Sequence, residues 1–248
     1  MSQLNDLLNR YVAVWNEPDA AVRRNGVAQL WVPDGIHYTQ TRKFRGTDAL
    51  HARVTEAYEQ FVAGSGLRFR SGENLVTHHD VAKFNWEMVP ASGGNVLAVG
   101  FDFLLLDQSG RIFVDYQFNE PPAPVAELDD FARRYLAIAQ EPDEEVRRKA
   151  VAELYATDAR LVDESAEQIG QEAVLASITA TGKSLADRGL VRRLAGHASA
   201  QHNAVRFGWE LVPAGGGAAV GSGLEFLVQD GAGLIRGDYR FTDPAPAA

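Results

Sequence analysis

Residues 10–34, RYVAVWNEPDAAVRRNGVAQLWVPD, recur at residues 134–158 as RYLAIAQEPDEEVRRKAVAELYATD, with 13 identities in 25 positions. Residues 84–118 recur at 207–241 with 17 identities in 35, the offset between copies having fallen by one residue. This second block repeats Trp86-Glu87 as Trp209-Glu210, Gly100 as Gly223, Asp115-Tyr116 as Asp238-Tyr239 and Phe118 as Phe241. A unit repeated once is too short an array for a solenoid, so each copy is expected to be a domain. Between the copies, residues 119–127, NEPPAPVAE, are rich in proline and read as a short stiff linker. The expected domains are 1–120 and 128–243.

With 248 residues, 46% hydrophobic and 23% charged, the composition is that of a globular chain. The 24 Lys+Arg against 33 Asp+Glu leave a net charge of −9, which repels a polyanion, so nucleic acid is not an expected partner. There is no cysteine, which excludes disulfides, thiolate metal sites and cysteine nucleophiles. The polar, acidic start and the absence of a sufficiently long apolar run (residues 96–106 are broken by Gly100 and Asp102) predict a cytoplasmic protein without membrane contact.

Within a copy, Leu4, Leu7, Leu8, Tyr11 and Val14 recur at helical spacing, and Val22, Val27, Leu30 and Trp31 do so after Pro18. Two short extended pieces, 35–40 and 43–46, precede a third helix over 47–62. Residues 67–77, 81–89, 96–106 and 111–118 then read as a meander of antiparallel strands separated by Gly, Asp and Ser turns. Helices grouped ahead of a curved sheet predict an α+β domain with a pocket between sheet and helices.

On these residues each copy resembles the cone-shaped nuclear transport factor 2-like fold, and within it the SnoaL-like polyketide cyclases and ketosteroid isomerases. Arg10-Tyr11-Val12-Ala13 followed by Glu17-Pro18-Asp19 is similar to the isomerase first helix, whose tyrosine donates to the substrate oxyanion. The Gly-Phe-Asp-Phe strand at 100–103 resembles the strand carrying that family's protonated aspartic acid. The resemblance implies acid/base proton transfer on a hydrophobic polyketide-like or steroid-like carbonyl compound without cofactor. Epoxide-hydrolase-like water addition and non-catalytic binding or scaffolding stand as alternatives.

Two carboxylates per copy carry the chemistry. If Asp107 and Gly110 close a two-residue turn, Asp102 faces Asp115 across the hairpin, and the same arithmetic pairs Glu225 with Asp238. Opposed carboxylates hold one member protonated, and a neutral acid can donate a hydrogen bond. A three-residue loop shifts the register by one and places them on opposite faces; Arg206, Arg236 and Arg240 are candidates to neutralise the second pair structurally. The resemblance puts a base at Thr39 in the first copy and Asp163 in the second, which assigns catalysis to Tyr135, Asp163, Glu225 and Asp238. In the first copy, His37 shares the face of Thr39 and is a replacement base beside Tyr11, Asp102 and Asp115. Trp86, Trp209, Thr39, Gln117 and Arg240 are expected to contact the substrate. His78 and His79, adjacent on a strand end, point to opposite faces, and no metal is expected. Apolar Phe101, Phe103 and Leu105 and their counterparts Leu224, Phe226 and Val228 predict sheet-to-sheet packing of the copies as an internal pseudo-dimer in a monomeric chain.

Overall fold

The structure, a computed structural model, describes residues 2–243. By its contacts the chain divides into Met1–Pro121 and Pro122–Ala248. The first unit runs α1 (Ser2–Asn16), α2 (Ala20–Leu30), β1 (Trp31–Tyr38), β2 (Lys43–Arg45), α3 (Thr47–Ala57), a π-helical turn (Tyr58–Ala63), β3 (Leu67–Ser71), β4 (Val76–His78), β5 (Val81–Pro90), β6 (Ala98–Leu106) and β7 (Ile112–Glu120). The second runs α4 (Ala126–Ile138), α5 (Glu144–Leu154), β8 (Tyr155–Val162), β9 (Glu167–Ile169), α6 (Gln171–Asp187), β10 (Leu190–Gln201), β11 (Ala204–Pro213), β12 (Gly221–Gln229) and β13 (Ile235–Thr242). No helix among the described residues is long and apolar enough to cross a membrane.

Each sheet orders its strands alike: β2-β1-β7-β6-β5-β3 with β4 also on β5, and β10-β11-β12-β13-β8-β9. The strand after the second helix runs parallel to the last strand, and the other pairings are antiparallel. The expected strand over 67–77 is two strands, because the backbone leaves the ladder at Gly72, whose N–H bonds Asn85 O at 2.7 Å. Trp31 opens β1 instead of closing α2.

The repeated Glu-Pro-Asp tripeptide is a helix start. Asp19 Oδ1 accepts from the N–H groups of Ala21 and Val22 at 2.8 and 2.9 Å, and Asp143 Oδ1 from those of Glu145 and Val146 at 2.8 and 3.2 Å. The capping carboxylate satisfies orphan donors and complements the positive helix end. Pro18 therefore lies just outside α2. One face of the first sheet, with Phe84 and Leu104, packs on Leu7, Tyr11 and Trp15 of α1, Leu30 of α2 and Leu50 and Val54 of α3. The second domain builds the same core from Tyr135, Leu136, Val151, Val174, Phe207 and Leu227. Each such side chain contributes ~1.5–3 kcal/mol by leaving water.

The hairpin between β6 and β7 corrects the expected register. Asp107 N–H bonds Arg111 O at 2.8 Å and Gly110 N–H bonds Asp107 O at 2.9 Å, so the loop holds three residues, with Gly110 at φ 78°. Alone this moves the pairing by one and turns the carboxylates to opposite faces. Phe113 then sits as an extra residue, since Leu106 pairs with Ile112 but Leu105 with Val114. The bulge adds a second one-residue shift and restores the face. Asp102 thus faces Gln117, and Asp115 faces Leu104. The second domain repeats the device with a three-residue loop after Asp230 and Arg236 as the extra residue, so Glu225 faces Arg240 and Asp238 faces Leu227.

Candidate functional site

Asp102 and Asp115 are diagonal neighbours on the sheet face that meets α1, and both are fully buried. Tyr11 reaches them from the helix: its Oη is 2.7 Å from Asp102 Oδ2 and 2.8 Å from Asp115 Oδ2. His37, paired with Asp115 across β1 and β7, places Nδ1 at 2.8 Å from the same Asp115 oxygen. The four groups form a chain, Asp102, Tyr11, Asp115, His37, with three contacts that need three hydrogens. The phenol supplies one and imidazole Nδ1 another, so the third resides on a carboxyl. Asp102 is that carboxyl: burial, then the neighbouring Asp115, push it well above the usual carboxyl range. Burial and the two carboxyls likewise raise the Tyr11 phenol. With Nδ1 turned to Asp115, His37 Nε2 is buried and has no partner among the described residues.

Around this chain lie Trp86, whose Nε1 is 3.3 Å from Asp102 Oδ1, and Gln117, which faces Asp102 across the ladder. Trp86 lies flat over its cross-strand partner Gly100, where an added Cβ would meet the ring at 2.1 Å. Arg53 of α3 stands 5.3 Å from the Trp15 ring and approaches Gln117 Oε1 at 3.5 Å; burial lowers its pKa. Tyr11, Trp15, Phe69, Trp86 and Gln117 enclose a cavity of about 10 Å³, room for one water molecule.

The second domain uses the same positions differently. Asp238 accepts from Tyr135 at 2.6 Å and from Tyr155 at 2.7 Å, each phenol bringing its own hydrogen. Glu225 accepts from Arg240 Nε at 2.7 Å and lies 3.4 Å from Arg192 Nη1. No contact here requires a carboxyl proton. Burial pushes Glu225 up, to about 8, while Arg240 and Arg192 pull it down and Asp238 pushes it up. Leu161 stands where the first domain has His37, since each faces the shared aspartate across the sheet. Tyr135, Ile138, Tyr155, Ile178, Arg192 and Arg240 line a cavity of about 10 Å³. Trp209 lies over Gly223 as Trp86 does over Gly100, and the Arg192 guanidinium sits 4.3 Å from its ring.

Asp163, the expected proton abstractor, is tied into a local turn. It opens the turn after β8, where Oδ1 accepts from Ser165 N–H, Ser165 Oγ and Ala166 N–H at 2.8, 2.6 and 2.9 Å. Burial raises its pKa, but these bonds outweigh that and hold the carboxyl below its ordinary range, which weakens it as a base. Thr39 has the equivalent turn position, its Oγ1 accepting from Arg42 N–H at 3.2 Å. Arg240, expected to contact substrate, is the ion partner of Glu225. Sequence reading missed Tyr155, Arg192 and Arg53. The repeat held the signal for the first two: Tyr155 replaces Trp31, and Arg192 replaces Phe69 at matching register. The Arg192 guanidinium stands where the first copy has the hydrocarbon ring of Phe69, and the Tyr155 hydroxyl where it has the indole of Trp31. Arg53 has no such mark, since it flanks the apolar stripe of α3.

No protein-family model matches the chain, and no curated protein matches it. It is similar to solved structures. A SnoaL-like family protein from Agrobacterium tumefaciens, provisionally described as an isomerase, is 29% identical over 48% of this chain and 100% of its own, with a TM-score of 0.44. A protein from Sinorhizobium meliloti, provisionally described as a polyketide cyclase, is 13% identical over 45% of this chain and 93% of its own, with a TM-score of 0.36. A nuclear transport factor 2-like protein of unknown function from Exiguobacterium is 16% identical over 47% of this chain and 99% of its own, with a TM-score of 0.38. Each match spans about half of this chain, the length of one unit. The chain is two tandem units, each of three α-helices and one mixed sheet of six or seven strands.

Proposed function

We propose that the protein is an acid/base enzyme of isomerase or cyclase type and that its first domain carries the chemistry. The observation that supports this is the hydrogen count in the chain Asp102, Tyr11, Asp115, His37, which leaves one carboxyl protonated beside a phenol and an imidazole. The reaction it suits is proton transfer next to a carbonyl. His37 Nε2 takes the proton, with Asp115 holding the ring through Nδ1 and stabilising the imidazolium that forms. When substrate enters, the Tyr11 hydrogen turns from Asp115 and the Asp102 proton from Tyr11 toward the oxygen on which negative charge develops, and the Arg53 charge nearby favours the same anion. The second domain, whose carboxylates are already met by phenols and guanidinium groups, is assigned a structural core. The substrate is small and mostly apolar, and it binds by displacing the Trp15 and Trp86 rings that close the cavity.

The test needs no knowledge of the natural substrate. Deuterium exchange from D2O into an acidic ketone such as 2-tetralone, followed by NMR, is accelerated by the wild type. His37→Gln and Asp102→Asn each lower that rate by ~10²–10⁴-fold, whereas Glu225→Gln leaves it unchanged. Equal exchange with all three variants would refute the assignment. Water-sized cavities in both domains favour a second reading, a protein that binds or scaffolds without turnover; in that case no variant and no wild type accelerates exchange.

A further inference from the structure

The two domains part company where the first helix ends. Trp15 in the first copy is Ala139 in the second, within the stretch that aligns without gaps. Counted from the glycines that precede the third helices, Gly46 and Gly170, Tyr58 occupies the position of Gly182. Two aromatic rings in one domain are thus a methyl group and a hydrogen in the other.

The arginine beside Tyr58 records the consequence. Arg23 is 3% exposed, its guanidinium 4.7 Å from the Tyr58 ring, its Nε donating to Thr55 Oγ1 at 3.1 Å and its Nη1 to Glu17 O at 2.6 Å. Arg147, its counterpart, keeps the bond from Nη1 to Glu141 O, but its Nε is buried with no partner among the described residues. No ring can cover it from the helix, because a Cβ on Gly182 would lie 1.9 Å from Ala139 O. A cleft of about 390 Å³ opens there, with Ala139, Thr179, Gly182 and Leu185 in its wall. The charged groups that line it are Arg147, Lys183 and Glu141, and Glu141 Oε1 already accepts the Asp143 N–H at 3.0 Å.

We propose that this cleft of the second domain binds a small planar aromatic carboxylate. The ring lies against the apolar wall of the cleft where the first domain has Tyr58, and the carboxylate meets the Arg147 guanidinium with Lys183 beside it. An apolar wall demands a hydrophobic body, while an unpaired buried donor and a net positive lining demand an anion. The site is separate from the acid/base chain of the first domain and does not depend on it.

Calorimetric titration of the full chain with 2-naphthoate, and with 2-naphthalenemethanol as a neutral match for size, tests the assignment. Naphthoate is expected to bind at least tenfold more tightly than the alcohol. Lys183→Met, at an exposed position, and Arg147→Met should each shrink that preference, with folding checked by circular dichroism. Ala186→Trp, which fills the cleft from an exposed position on α6, should abolish binding of both compounds. Equal affinity for the acid and the alcohol, unchanged binding in Ala186→Trp, or no saturable binding of naphthoate to the wild type at millimolar concentration would each overturn the proposal.

Discussion

Asp102 carries its proton because burial leaves the ionised form with no water to receive it and puts a second carboxyl against the same phenol. A carboxyl whose folded pKa lies above its unfolded value binds more protons when folded. Stability from that group is therefore full below the unfolded value, ~3.9, and falls as pH rises through the raised folded value. Asp102→Asn cannot ionise, so its melting temperature should decline less between pH 5 and pH 8 than that of the wild type. A decline of equal slope in both would mean that Asp102 is ionised throughout. Tyr11→Phe removes the hydrogen that Asp115 accepts and the oxygen that Asp102 meets. It should cost about 1–3 kcal/mol of stability in denaturant titrations, and a loss near zero would show that the hydroxyl bridges nothing.

At the scale of the element, two one-residue irregularities cancel. The three-residue loop after Asp107 turns the face of β7 over, and the bulge at Phe113 turns it back. Deleting Phe113 should uncouple them: β7 beyond the bulge either slips, aiming Asp115 away from Tyr11, or fails to pair, and the deletion should lower the melting temperature by many degrees. A deletion variant as stable as the wild type would show that the register is not pinned there. Gly100→Ala pushes a methyl group into the Trp86 ring and should cost about 1–3 kcal/mol by overpacking, read from the denaturation midpoint. The same hairpin shows how far sequence reaches. Counting residues from Asp107 put both carboxylates on one face but opposed the wrong pair, because the loop is marked by Gly110 while nothing in Ile-Phe-Val marks the bulge. Pattern did read the repeat and the helices, where spacing along the chain is a local property. It could not read the Asp163 turn bonds, which depend on how Ser165 and Ala166 fold back.

For the whole molecule, duplication followed by divergence explains why one fold holds two unlike cores. The replacements run His37 to Leu161, Gln117 to Arg240, Phe69 to Arg192 and Trp31 to Tyr155. Each supplies the second domain with a donor for its carboxyls or removes a titrating neighbour, so a proton-sharing chain in one copy becomes separate donor–acceptor pairs in the other. Sequence comparison alone favoured the second copy because it holds a carboxylate at 163; hydrogen bonding favours the first because only there must a proton be shared. Carbon-13 NMR of carboxyl-labelled aspartate, with Asp102 assigned by its loss in Asp102→Asn, decides between them most directly. The Asp102 carboxyl is expected to keep the shift of a protonated acid at neutral pH, and Tyr11→Phe is expected to alter its titration. An Asp102 that titrates near ~3.9, as an ordinary aspartate does, would contradict the shared proton.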